Sequence, residues 1–107
     1  MEFYGISMIR LDATGTEVNE VKLHKVLHRP VGTDEIEANP GERVQVGEVV
    51  RLLANGDFVW ILVDDGPGSF MHTDAVRIKE QAGPASGIES HDTNGQRTNA
   101  LFRLPRF

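Results

Sequence analysis

The chain has 107 residues, 11 Lys+Arg against 16 Asp+Glu for a formal charge of −5, and no cysteine. Hydrophobic residues make up 39 % and charged residues 25 %, which suits one globular domain and excludes a collagen-like, coiled-coil or wholly disordered chain. Without cysteine there is no disulfide, no thiolate nucleophile and no Cys-based zinc site.

Residues 3–11 read as a strand, with Tyr4, Ile6 and Met8 on one side and Phe3, Ser7, Ile9 and Leu11 mostly on the other. Asp12-Ala13-Thr14-Gly15 is a turn, and Val18 to Leu27 is a second strand whose Glu20, Lys22 and His24 form a polar face. These two make a hairpin. Residues 30–45 read as one long connection, rich in Pro, Gly and acids, with an irregular turn around Asp34 to Ala38. Val46, Val49, Val50 and Leu53 fall at helical spacing, so 46–55 is a short helix that Asn55-Gly56 terminates. Phe58 to Val63 is a central strand whose Phe58, Trp60 and Leu62 share a face as core aromatics and aliphatics. After Asp64-Asp65-Gly66-Pro67-Gly68, Met71 to Lys79 completes a second hairpin. A small-residue linker, 81–87, leads to a short edge strand at Ile88 to His91, a turn at Asp92 to Gly95, and an arm whose Leu101, Phe102, Leu104 and Phe107 tie it to the core.

The expected architecture is a single α+β domain over 1–107. It has an antiparallel sheet of four to five strands in the order β-β-α-β-β-β, with one short helix packed on one face. No run approaches the roughly 18 apolar residues of a membrane span, and the first residues lack the basic and apolar regions of a signal peptide. A soluble cytoplasmic protein without a membrane partner is the expectation.

Charge is uneven. Residues 96–107 carry Arg97, Arg103 and Arg106 and no acid, whereas the other 95 residues carry a net −8. Arginine interleaved with Phe102 and Phe107 is the composition of a contact surface, so Arg97, Phe102, Arg103, Arg106 and Phe107 are the candidate interaction residues. The acidic body argues against nucleic acid, which is kept only as a weak alternative through this arm.

His72 and Asp74 share a side of a strand, and with His91 they form the candidate polar site of a small hydrolase or metal-dependent enzyme. No serine sits in a strand-turn-helix elbow. His24 and His28 lie four apart on a strand, about 13 Å, too far to share an ion, and read as solvated. Asp64 and Asp65 are adjacent, unlike the alternating ligands of a calcium loop. No cofactor or metal is implied.

The layout resembles a family of small bacterial and archaeal proteins, the domain of unknown function numbered 3892. The resemblance rests on the hairpin at Ile6 to Val21, the helix and stop Glu48-Val49-Val50-Arg51-Leu52-Leu53-Ala54-Asn55-Gly56, and the ending His91-Asp92-Thr93-Asn94-Gly95 followed by Asn99-Ala100-Leu101-Phe102-Arg103-Leu104-Pro105. It implies a compact bacterial domain and brings no activity and no catalytic residue. The expected function is non-enzymatic: binding to a protein partner or to a second copy.

Overall fold

The computed structural model describes residues 2–28, 35–64, 66, 69–79 and 87–107, and the side chains of His28 and Glu35 are outside that description. The elements are β1 (Phe3–Leu11), β2 (Val18–His28), β3 (Glu35–Ala38), β4 (Glu42–Gln45), α1 (Val46–Ala54), β5 (Phe58–Asp64), β6 (Ser69–Lys79), β7 (Gly87–His91) and β8 (Arg97–Thr98), then a 3₁₀ turn over Leu101–Arg103. The class is α+β with one α-helix, as the sequence patterns require. Among the described residues the sheet has eight strands, not four or five. The undercount lies mainly in the 30–45 connection, where Glu35–Ala38 and Glu42–Gln45 are strands rather than an irregular turn.

Both hairpins form as expected: β1 pairs with β2, and β5 with β6, antiparallel. The sheet is not purely antiparallel, because β1 also pairs with β5 in parallel, from Phe3↔Phe58 to Ile6↔Ile61. β3 pairs with β2 on one side and with β6 on the other. The pairings β1–β2–β3–β6–β5–β1 therefore close into a ring of five strands. β4 extends the β3 edge along β2, and β7 and β8 continue outward from β6.

Closure divides the apolar residues into two cores. Outside the ring, α1 lays Val49 and Leu52 on Ile6, Ile9, Val21, Val59, Ile61 and Val76. The helix has no side-chain N-cap, and Gly56 (φ +89°) accommodates the left-handed turn that ends it, as expected from Asn55-Gly56. Such a short helix persists because its apolar stripe is covered. Inside the ring lie Ile36, Ala38 and Leu62, with Val26, Trp60 and Phe70 packed against them. The His24 ring on β2 meets Phe70 on β6 at 4.8 Å between centroids, a contact across the ring between strands that are not neighbours. β1 comes close to this interior only because residue 5 is glycine: a Cβ there would fall 2.3 Å from Leu62 Cδ1.

Two sequence readings change. β1 loses register with β2 between Ile6 and Met8, and this bulge brings Ile6 and Ile9 onto the same outer core, although plain alternation separates them. Phe58 is 46 % exposed, stacked on Phe3 at 5.6 Å, and is not a core aromatic. Phe3 also stacks on Trp60 at 5.3 Å, and Trp60 on His72 at 4.8 Å.

The C-terminal arm is folded onto the body. Leu101 and Leu104 are buried in the outer core. The Ile9 N–H donates to Pro105 O at 3.0 Å, and the Phe107 N–H donates to Ile9 O at 3.3 Å, so the arm pairs with β1 just beyond the point where β5 departs. Among the described residues, no helix is long and apolar enough to cross a membrane.

Candidate functional site

β1 exchanges one neighbour for another in mid-strand. Its register with β5 ends at Ile6, and the arm takes over at Ile9. Ser7 and Met8 fall between, at the bulge, and a cleft of about 700 Å³ opens there. Leu62, Val63 and Asp64 of β5 form one wall and Arg103, Leu104 and Pro105 the other. Lys22 and His24 of β2, Asn39-Pro40 and Phe70 complete the mouth of the ring. A cleft of that size, largely apolar and holding a few polar groups, has the character of a small-molecule site.

His24 is the centre of its polar end. It is 2 % exposed, not solvated as its place on a polar strand face suggests. Its Nε2 lies 2.6 Å from Ser7 Oγ, and its Nδ1 lies 2.8 Å from Asn39 O. Burial holds the imidazole below its usual pKa and the charge of Lys22 acts in the same direction, against the Asn39 carbonyl contact. The ring is neutral near pH 7. Its one N–H faces the carbonyl, which only accepts, so Nδ1 donates to Asn39 O and Nε2 accepts the Ser7 O–H.

The break between β3 and β4 is built around this ring. Asn39 Oδ1 accepts from the backbone N–H groups of Lys25 and Gly41, each at 3.0 Å, which fixes the Asn39 carbonyl. Gly41 has φ +85°, and a Cβ there would fall 2.6 Å from His24 Cε1. Glycine at 41 serves both the backbone conformation and the space the imidazole fills.

Among the described residues most cations outside the cleft have an internal partner, Arg97 apart. Arg10, Lys25, Arg43, Arg51, Arg77 and Lys79 each pair with a carboxylate. Arg106 donates to the Leu104 and Phe102 carbonyls. Lys22 and Arg103 line the cleft without an ion pair or side-chain hydrogen bond among the described residues. Asp64, the acid at the rim, accepts from the Gly66 N–H at 3.0 Å.

No family model, no curated protein and no solved structure matches this chain.

The polar residues singled out from sequence, His72, Asp74 and His91, lie on the neighbouring strands β6 and β7, with His91 opposite Ala75, and none lines the main cleft. His72 stacks on Trp60. Asp74 accepts from Thr98 Oγ1 at 2.7 Å, and the His91 Nδ1–H donates to Asp92 O at 2.9 Å. Thr98 Oγ1 also lies 2.9 Å from Ser90 Oγ, which accepts from the Leu101 N–H, so Asp74 ends a polar chain that anchors the arm. Among the described residues, no three His, Asp or Glu side chains are grouped to hold a metal. Asp65 and the linker 81–86 lie outside the described residues.

Of the arm residues, Arg103 lines the main cleft, and Arg97 and Phe102 line a smaller one of about 410 Å³. The Phe107 ring lies under the Arg43 guanidinium at 5.3 Å. The residues missed in sequence are Ser7, Lys22, His24 and Asn39. One signal for them exists: His24 and Val26 alternate with Val21 and Leu23 on the opposite face, the pattern of a strand covered on both sides.

Proposed function

We infer that this domain is a binding module whose ligand is an organic anion with an apolar body, seated in the cleft at the mouth of the five-stranded ring. The observation that carries this reading is the pair of cations, Lys22 and Arg103, that have no internal partner among the described residues and open on an apolar cleft in a protein of net charge −5. A cation left without an internal partner at an apolar surface favours an external anion, and the apolar wall gains from covering a hydrocarbon body. The binding character expected from the sequence fits this site, with a small molecule in place of a protein partner. The arm is a weaker docking surface, because Arg106 and Phe107 are engaged within the chain.

Three ligands of equal chain length test the reading: decanoate, decanol and decyltrimethylammonium, each competed against 8-anilinonaphthalene-1-sulfonate by fluorescence. Decanoate is expected to bind at least tenfold more tightly than the other two. The double variant Lys22→Glu, Arg103→Glu should lose that preference while unfolding at a similar temperature. Equal affinity for decanoate and decanol, insensitive to the charge reversal, would overturn it.

A further inference from the structure

The Ser7–His24 pair is more than the binding of an anion requires. Ser7 Oγ to His24 Nε2 is 2.6 Å, and the opposite ring nitrogen donates to the Asn39 carbonyl at 2.8 Å. This is the order of a nucleophile, its general base and an orienting acceptor, with a backbone carbonyl in the position a carboxylate takes in the familiar triad. The orienter is itself held: the Asn39 side chain accepts from Lys25 and Gly41 N–H groups, and Gly41 leaves the ring its space. Ser7 follows Gly5 by two residues and faces the ring interior as Gly5 does, which aims its hydroxyl at His24, and the bulge that follows brings Met8 to the same cleft. Lys22 opens on the same cleft, close enough for its charge to act on His24, and is a cation available to a developing oxyanion.

We propose that the cleft is hydrolytic as well as binding, and that Ser7 and His24 cleave carboxylic esters whose released acid is the amphipathic anion the cleft holds. Ser7 Oγ bonds to the ester carbonyl carbon as its proton passes to His24 Nε2. The tetrahedral adduct, its oxyanion facing Lys22, collapses by breaking the bond to the alcohol oxygen. The alcohol leaves with the proton from His24. Water then gives a proton to His24 and attacks the acyl group on Ser7. Collapse releases the acid and returns the proton to Ser7. The balance is ester plus water to acid plus alcohol, and Ser7 and His24 are the catalytic residues. This rests on the cleft accepting an amphipathic anion.

An alkyl fluorophosphonate, which phosphonylates an activated serine, is the probe, read by intact mass and peptide mapping on the full chain. The expected result is one adduct, on Ser7, absent in Ser7→Ala and formed at least tenfold more slowly in His24→Gln. Release of p-nitrophenol from p-nitrophenyl decanoate should follow the same order. The Ser7→Ala protein should retain its Trp60 emission and its affinity for 8-anilinonaphthalene-1-sulfonate, which keeps loss of the nucleophile apart from loss of the fold. No adduct on Ser7, or ester hydrolysis equal in wild type and Ser7→Ala, overturns the proposal. If anilinonaphthalene sulfonate still binds in that case, hydrolysis alone has failed; if it does not bind at all, the binding reading has failed with it.

Discussion

Replacing Gly41 with alanine separates the two demands placed on that residue. The backbone at 41 has φ +85°, and at 56 it has φ +89°, so an L side chain meets nearly the same conformational strain at either position. That strain is about 1–2 kcal/mol. The surroundings differ. At 56 a new Cβ meets nothing within 4 Å, whereas at 41 it would fall 2.6, 2.7 and 3.0 Å from Cε1, Nδ1 and Nε2 of His24. The ring has to move, and its hydrogen bonds to Ser7 and Asn39 stretch or break. At about 1 kcal/mol each, the two bonds add about 2 kcal/mol to the cost at 41. Gly41→Ala is expected to lose about 3–4 kcal/mol and Gly56→Ala about 1–2 kcal/mol. At about 4–8 °C per kcal/mol for a domain near this size, the two melting temperatures should differ by roughly 10 °C. Trp60, the only tryptophan, stacks between Phe3 and His72, and its fluorescence reports the ring interior in thermal and urea unfolding. Equal losses in the two variants, within about 3 °C, would refute the claim that residues 39–41 are shaped around the imidazole.

Acid should weaken the fold well above the carboxylate range. The unfolded chain protonates His24 near its ordinary pKa of about 6.5, while the buried ring in the native state takes up its proton only at lower pH. In that interval the unfolded state binds more protons, so stability is complete above about pH 6.5 and falls as pH drops through it. The slope is at most about 1.4 kcal/mol per pH unit. Urea midpoints between pH 5 and 8 measure it, and a slope unchanged in His24→Gln would assign the effect elsewhere. Leu101→Ala empties a fully buried site in the arm and should cost about 2–5 kcal/mol; a loss below about 1 kcal/mol would mean that the arm is not integral to the outer core.

Local chemistry made part of the fold legible. Alternation along 3–11 and 18–27, the helical spacing of Val46, Val49, Val50 and Leu53, and the stop at Asn55-Gly56 depend on near neighbours, and those elements stand where the pattern places them. The ring was not legible. β3 is four residues in an acidic stretch rich in Pro and Gly, and only Ile36 and Ala38 show its inner face. Its role comes from pairing with β2 and β6, which no local pattern encodes. The parallel contact of β1 with β5 joins segments about fifty residues apart, and the bulge at Ser7 then alters the alternation on which side-chain facing was read. The site was hidden for the same reason. Ser7, His24 and Asn39 come from three separate segments, and no motif spacing relates them. His72, Asp74 and His91 do lie near one another in sequence or register, yet His72 stacks on Trp60, Asp74 accepts from Thr98 and His91 donates to the Asp92 carbonyl.

The change of neighbour along β1 bears on how the molecule assembles. The β1–β2 hairpin is local and closes on the microsecond scale, but the other edge of β1 is covered first by residues 58–61 and then by residues 105–107. Until both arrive, that edge is a bare template of backbone donors and acceptors, open to a neighbouring chain. Such distant closures place folding in the slower range of small domains, milliseconds to seconds, and they make crowding during refolding, rather than native stability, the step at which yield is lost.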